Sequence, residues 1–205
     1  MSGSLRQRQK DDRRLRMIHA ALELFDEYGF PEVAVADIAE RIGMSYRTIY
    51  RYFPSKEDVL LGLVIEGNHA FLERVGDRLG ERPLLVTFAD AMTEVLEELS
   101  ERVGEDAIRT TSEQIDRVES VRARALLHSA DMLDRLAALV ERHPAYGPER
   151  DSEVHLAVRV FGAVSAEAQR RWRSAPLAGR SLAGEFRAVM AGLPAVLPDA
   201  PEAAN

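Results

Sequence analysis

An all-α fold is predicted for this 205-residue chain by three observations. Glycines and prolines cut it into helical lengths, no stretch sustains the β-branched alternation of a strand, and apolar residues recur at intervals of three and four. About nine helices result: a three-helix head containing a helix-turn-helix, followed by a larger helical body.

Residues 1–10 are polar, carry Arg6, Arg8 and Lys10, and are expected to form a flexible basic arm. A first helix is expected over 11–28, with Leu15, Ile18, Leu22 and Phe25 on one stripe and Gly29 as its stop. The second, 35–42, buries Ile38, Ala39 and Ile42, and the third, 45–53, buries Ile49 and Phe53. Ser55 caps a fourth helix reaching Leu79, with Glu57 and Asp58 in the first turn where the helix dipole favours acids. Further helices are expected over 84–102, 105–115, 118–142, 152–174 and 181–193. The domain expectation is an arm at 1–10, a head at 11–56, a body at 57–194 and a disordered Ala- and Pro-rich tail at 195–205.

A hydrophobic content of 46% is enough for a proper core. The absence of cysteine excludes disulfides and thiolate metal sites and fits a reducing interior. No apolar run is long enough to span a membrane and the N-terminus is polar, so a cytoplasmic protein without a membrane partner is expected. The net charge of −7 is unevenly spread: residues 1–56 carry ten Lys/Arg against eight Asp/Glu, whereas 57–205 carry seventeen against twenty-six. A basic head on an acidic body points to one end that docks on polyanion.

Residues 43–56, GMSYRTIYRYFPSK, are the densest signal. Gly43 suits a turn needing positive φ, Ser45 suits an N-cap, and Pro54 ends the helix between them. Arg47, Arg51 and Lys56, joined by Arg41 just upstream, stand with no acidic residue among them and are interleaved with Tyr46, Tyr50, Tyr52 and Phe53. Such a set suits phosphates and base edges.

From Ala20 to Leu60 the chain resembles the N-terminal domain of the TetR family of transcriptional regulators. The resemblance is carried by Ala21, Leu24, Phe25, Gly29, Phe30, Val35, Ile38, Ala39, Gly43, Ser45, Thr48, Tyr50, Phe53, Lys56 and Leu60. It implies a DNA-binding regulator whose third helix enters the major groove. Tyr46 and Arg47 then fall where bases are read, and an arginine can donate two hydrogen bonds to guanine. Thr48, Tyr50, Tyr52 and Lys56 match positions that hold the head on the phosphate backbone, and Ser45 and Arg51 complete the expected DNA-binding set. Phe53 belongs to the core, while Tyr50 fits packing as well as contact. Two positions depart from the family pattern: Ala34 lacks the capping hydroxyl, and Arg47 stands where many relatives have a small residue, free to contact DNA or to project into solvent.

The resemblance also implies a body that binds a small-molecule inducer, forms a homodimer and represses at a near-palindromic operator of double-stranded DNA. Candidate ligand-binding residues are Phe88, Met92, Leu96, Leu127, His128, Asp131, Met132 and Trp172, though such stripes also describe a core. The part containing RARALLHSADMLDRL and RRW is loosely similar to actinobacterial members grouped with the mycofactocin-system regulator, which implies a hydrophobic or acyl-CoA-like ligand. The expected dimer face is Val154, Ala157, Val158, Phe161, Val164, Ser165 and Ala168, continued by Leu182, Phe186, Val189 and Leu193. A carrier or sequestering protein with a purely structural head is the alternative.

No two of His19, His69, His128, His143 and His155 have the i, i+4 spacing of a helical metal site, so neither metal nor cofactor is expected. Adjacent Glu97 and Glu98 point in different directions on a helix, as solvated charges would, and Arg170, Arg171 and Arg173 read as a solvated helix end or an anion site. No phosphate loop, nucleophile elbow or metalloprotease motif is present, which leaves an enzyme without support.

Overall fold

A computed structural model describes residues 5–174 and 180–196, and these are helical apart from short connections. Nine α-helices occur among the described residues: α1 Leu5–Tyr28, α2 Val35–Arg41, α3 Tyr46–Tyr52, α4 Lys56–Leu60, α5 Gly62–Arg78, α6 Leu84–Arg117, α7 Glu119–Glu141, α8 Asp151–Ser174 and α9 Leu182–Val196. A 3₁₀ turn, Pro148–Arg150, precedes α8. No described helix is long and apolar enough to cross a membrane.

Several boundaries differ from expectation. Helix α1 begins at Leu5, so residues 5–10 of the expected arm are helical, while 1–4 lie outside the described residues. The expected fourth helix is divided at Leu61, whose φ −80° and ψ 6° end α4 just before Gly62. The two helices expected on either side of residue 104 meet at Gly104, where φ 82° and ψ 153° leave the helical region. Helix α9 passes Leu193 and ends at Val196; the rest of the expected tail, 197–205, lies outside the described residues.

The chain forms two compact units. The first contains the head up to Asn68 together with Asp106–Ala130, and the second contains His69–Glu105 and the described residues from Asp131 onward. In the first unit Met17, Ile18, Ala21 and Phe25 of α1, Ile38 of α2, Ile49 of α3, Phe53 and Leu60 are all nearly or fully buried. Close approach is set by Gly62: a Cβ there would lie 2.4 Å from Cγ1 of Ile18. Only glycine fits that crossing without repacking.

The second unit is built around aromatic rings. Phe71 of α5 stacks on Phe161 of α8 with centroids 4.8 Å apart, and Phe88 of α6 and Phe186 of α9 meet Phe161 edge-on at 5.6 and 6.1 Å. Its surface is stitched by ion pairs. Arg78 binds Glu94 through two hydrogen bonds of 2.8 Å, Arg74 pairs with Glu98 at 2.5 Å, and Arg187 of α9 pairs with Glu97. The adjacent glutamates do point apart, each to a different helix.

Candidate nucleic-acid interface

The turn before α3 is fixed by backbone chemistry. Gly43 adopts φ 66°, the Met44 N–H donates to Ala39 O at 2.9 Å and the Gly43 N–H to Glu40 O at 3.1 Å. This pair of bonds closes α2 in a Schellman arrangement and turns the chain sharply into α3. The Ser45 hydroxyl then accepts from the Thr48 N–H at 3.2 Å, and the two side-chain hydroxyls lie 2.9 Å apart. At α2, Ala34 has no side-chain acceptor, but Asp37 supplies half of a capping box by accepting from the Ala34 N–H at 2.7 Å.

One side of α3 is anchored by fully buried Ile49, with buried Phe53 following the helix. The outward side has two rows at i, i+4 spacing. Tyr46 and Tyr50, 62% and 46% exposed, meet edge-on with centroids 6.4 Å apart. Arg47 and Arg51 are exposed beside them, the Arg51 guanidinium 5.6 Å from the Tyr52 ring centroid. Thr48 and Tyr52 are half-buried on the flank. At about 100° per residue, the four exposed side chains span roughly 140° of helix surface. That width suits a helix laid in a major groove, with hydroxyls and guanidinium groups facing outward.

Lys56 is held against the head itself. Its ammonium donates to Phe30 O at 2.7 Å and Val33 O at 3.0 Å, and it lies 4.2 Å from the Phe30 ring centroid. Two of its three hydrogens are thereby committed to the turn between α1 and α2. Arg41 is also engaged, reaching Glu23 and Glu27 on α1 at 3.6 and 3.3 Å. Neither role could be read locally, since each partner lies at least fourteen residues away.

The expected ligand residues do not share one environment. Phe88 and Met132 are buried in the core of the second unit, with Met92 and Leu96 half-buried against that core. Trp172 is buried as well. Asp131 is exposed and faces Arg135 at 3.7 Å. In the first unit Leu127 is 62% exposed, whereas His128 binds Asp58. Of these, Leu127 faces solvent, and His128 and Asp131 are engaged by charged partners.

Asp58, expected only as an acid in the first turn of a helix, is a buried charged group. It is only 1% exposed, and its carboxylate accepts from Arg124 Nε at 2.8 Å, Arg124 Nη2 at 2.9 Å, Ser55 Oγ at 2.8 Å and His128 Nε2 at 2.7 Å. Burial pushes this carboxyl upward, but the bonds from Arg124, His128 and Ser55 and the guanidinium charge outweigh it and hold it at about 2.

The expected dimer face is largely turned into the chain itself. Val154, Ala157, Val158, Phe161, Val164, Ala168 and Phe186 are buried within the chain, with Leu182, Val189, Leu193 and Ser165 half-buried. The most apolar side of α8 serves its own core; the opposite side exposes Leu156, Arg159, Ala163 and Ala166. Near the start of α8, His155 Nε2 lies 3.5 Å from Glu141 and 3.4 Å from Asp151. All three are exposed and cluster at the surface. Arg170 and Arg171 share Glu167, at 2.7 and 2.8 Å.

A three-helix head presenting a capped, arginine- and tyrosine-bearing helix defines a helix-turn-helix DNA-binding protein. The profile of the bacterial regulatory proteins of the tetR family matches residues 17–63. Over 172 residues the chain is 31% identical to the HTH-type transcriptional regulator TcmR of Streptomyces glaucescens, covering 82% of this chain and 76% of that one. The chain belongs to the TetR family and is a DNA-binding transcriptional regulator, not an enzyme. Its fold is similar to that of Thermus thermophilus FadR, a TetR-family repressor solved with lauroyl-CoA, at TM-score 0.54 and 26% identity over 94% of this chain and 98% of FadR. Similarity to the mycofactocin biosynthesis regulator MftR of Mycobacterium tuberculosis is partial, 45% over 42 residues, or 20% of this chain and 21% of MftR.

Proposed function

We propose that the chain is a homodimeric repressor released from a near-palindromic operator by a small-molecule inducer. The observation that carries this reading is the exposed arc of Tyr46, Arg47, Tyr50 and Arg51 on a helix anchored by Ile49. Tyr46 and Arg47, nearest the N-terminus of α3, read base edges, with Arg47 donating two hydrogen bonds to a guanine. Ser45, Thr48, Tyr50, Arg51 and Tyr52 fix the register through phosphate oxygens. Two copies related by a two-fold axis place their heads about 34–36 Å apart, one turn of the duplex.

The outer side of α8, with Leu156 64% exposed beside Ala163 and Ala166, and Ala188 and Ala191 on α9 supply the surface for the second copy. The lauroyl-CoA of FadR supports a hydrophobic, acyl-CoA-like inducer. Met92 and Leu96, which keep accessible surface beside the aromatic core, form part of its wall. The protein works in the cytoplasm, where its operator is.

A mobility-shift titration with the promoter DNA beside the gene tests the reading. Salt-sensitive, sequence-selective retardation, reversed by micromolar lauroyl-CoA, is expected. Equal weak affinity for every duplex would overturn it; selective binding that lauroyl-CoA leaves intact would remove the inducer class alone.

A further inference from the structure

We infer that Asp58, Arg124 and His128 form a positioning latch for operator binding, which sets how α3 is presented without touching DNA. Ser120, Arg124 and His128 stand at i, i+4 and i+8 on α7, so they share one stripe. That stripe meets the acidic first turn of α4. Ser120 Oγ donates to Glu57 Oε1 at 3.0 Å, while Arg124 and His128 bind Asp58. Each Asp58 oxygen accepts two bonds, Oδ1 from Arg124 and His128 and Oδ2 from Arg124 and Ser55.

The latch reaches α3 through a short covalent path. Ser55 donates to the Asp58 carboxylate, accepts from the Asp58 N–H at 3.0 Å, and lies two residues after Phe53, the buried C-cap of α3. The next residue, Lys56, holds the Phe30 and Val33 carbonyls of the turn before α2. One carboxylate thus links α7 to the segment that aims the recognition helix.

Stability alone is a weak reason for such a group. A buried ion pair is commonly replaceable by apolar residues without loss, whereas a directional four-bond arrangement fixes register.

The test uses the full chain, fluorescence anisotropy with an operator duplex at several salt concentrations, and hydrogen exchange without DNA. Asp58→Asn and Arg124→Gln are each expected to weaken operator binding about tenfold with an unchanged salt slope, because no phosphate contact is lost. The double variant should bind no more weakly than either single one, and Arg124→Lys should recover part of the loss. Amides of residues 45–60 should exchange faster while those of α8 keep their protection. Wild-type affinity, a shallower salt slope or a uniform loss of protection would each overturn the latch. If Asp58→Asn does not fold, His128→Ala provides the same comparison from the less buried side, and wild-type affinity there is contradictory. The latch rests on DNA binding by this head, but the exchange arm reads it even if no selective operator is found.

Discussion

Arg47 and Lys56 lie nine positions apart and have opposite fates. Period and composition placed Arg47 on the outer surface of α3, where it is exposed. They could not place Lys56, because Phe30 O and Val33 O are 26 and 23 residues away. Lys56→Met should therefore lower the stability of the head by about 2 kcal/mol, the worth of hydrogen bonds from a charged donor, measurable as a urea midpoint. The salt slope of operator binding should stay constant in that variant, whereas a phosphate-binding lysine would lower it by about one. Asp58 was legible as an acid in the first turn of a helix but not as a buried one, since Arg124 and His128 lie 66 and 70 residues away. Its folded carboxyl titrates near 2 against an ordinary 3.8, so the unfolded chain takes up the proton first as pH falls. The resulting stabilisation, on the order of 2 kcal/mol, is present above about pH 4 and disappears between about pH 4 and pH 2. Urea midpoints across that window should fall less steeply in Asp58→Asn than in the parent chain.

Helices were more legible than their ends and faces. The start and stop of α3 followed from Ser45 and Pro54, and Gly43 supplies the positive φ that its turn requires. The break at Leu61 was missed because its logic is tertiary: Gly62 packs against Ile18 of α1, and no local pattern announces that crossing. Gly62→Ala, conservative by helix propensity, should instead destabilise the head by about 1–3 kcal/mol through overpacking. A thermal melt at or above that of the parent would contradict this. The stripe on α8 shows the reverse problem. Its spacing identified an apolar face correctly, but spacing does not say whether that face is covered by the same chain or by a second copy. Phe161, buried among Phe71, Phe88 and Phe186, shows that the same chain covers it.

Across the whole molecule, charge and family pattern revealed more than the body's side chains did. The basic balance of residues 1–56 against an acidic remainder marked the DNA end, and the tetR-family match at 17–63 agrees with it. The body was legible as helices but not as a ligand site, because an apolar stripe reads alike whether it lines a cavity or fills a core. Selection of bound duplexes from a random library, run in parallel with the intact chain and with Arg47→Ala, tests the central claim most directly. The parent should enrich a palindrome with half-site centres about 10 base pairs apart. Arg47→Ala should lose preference for one guanine in each half-site, at a cost of about 1–3 kcal/mol to the parent sequence. An unstructured pool from the parent, or an identical palindrome of equal affinity from Arg47→Ala, would contradict the account.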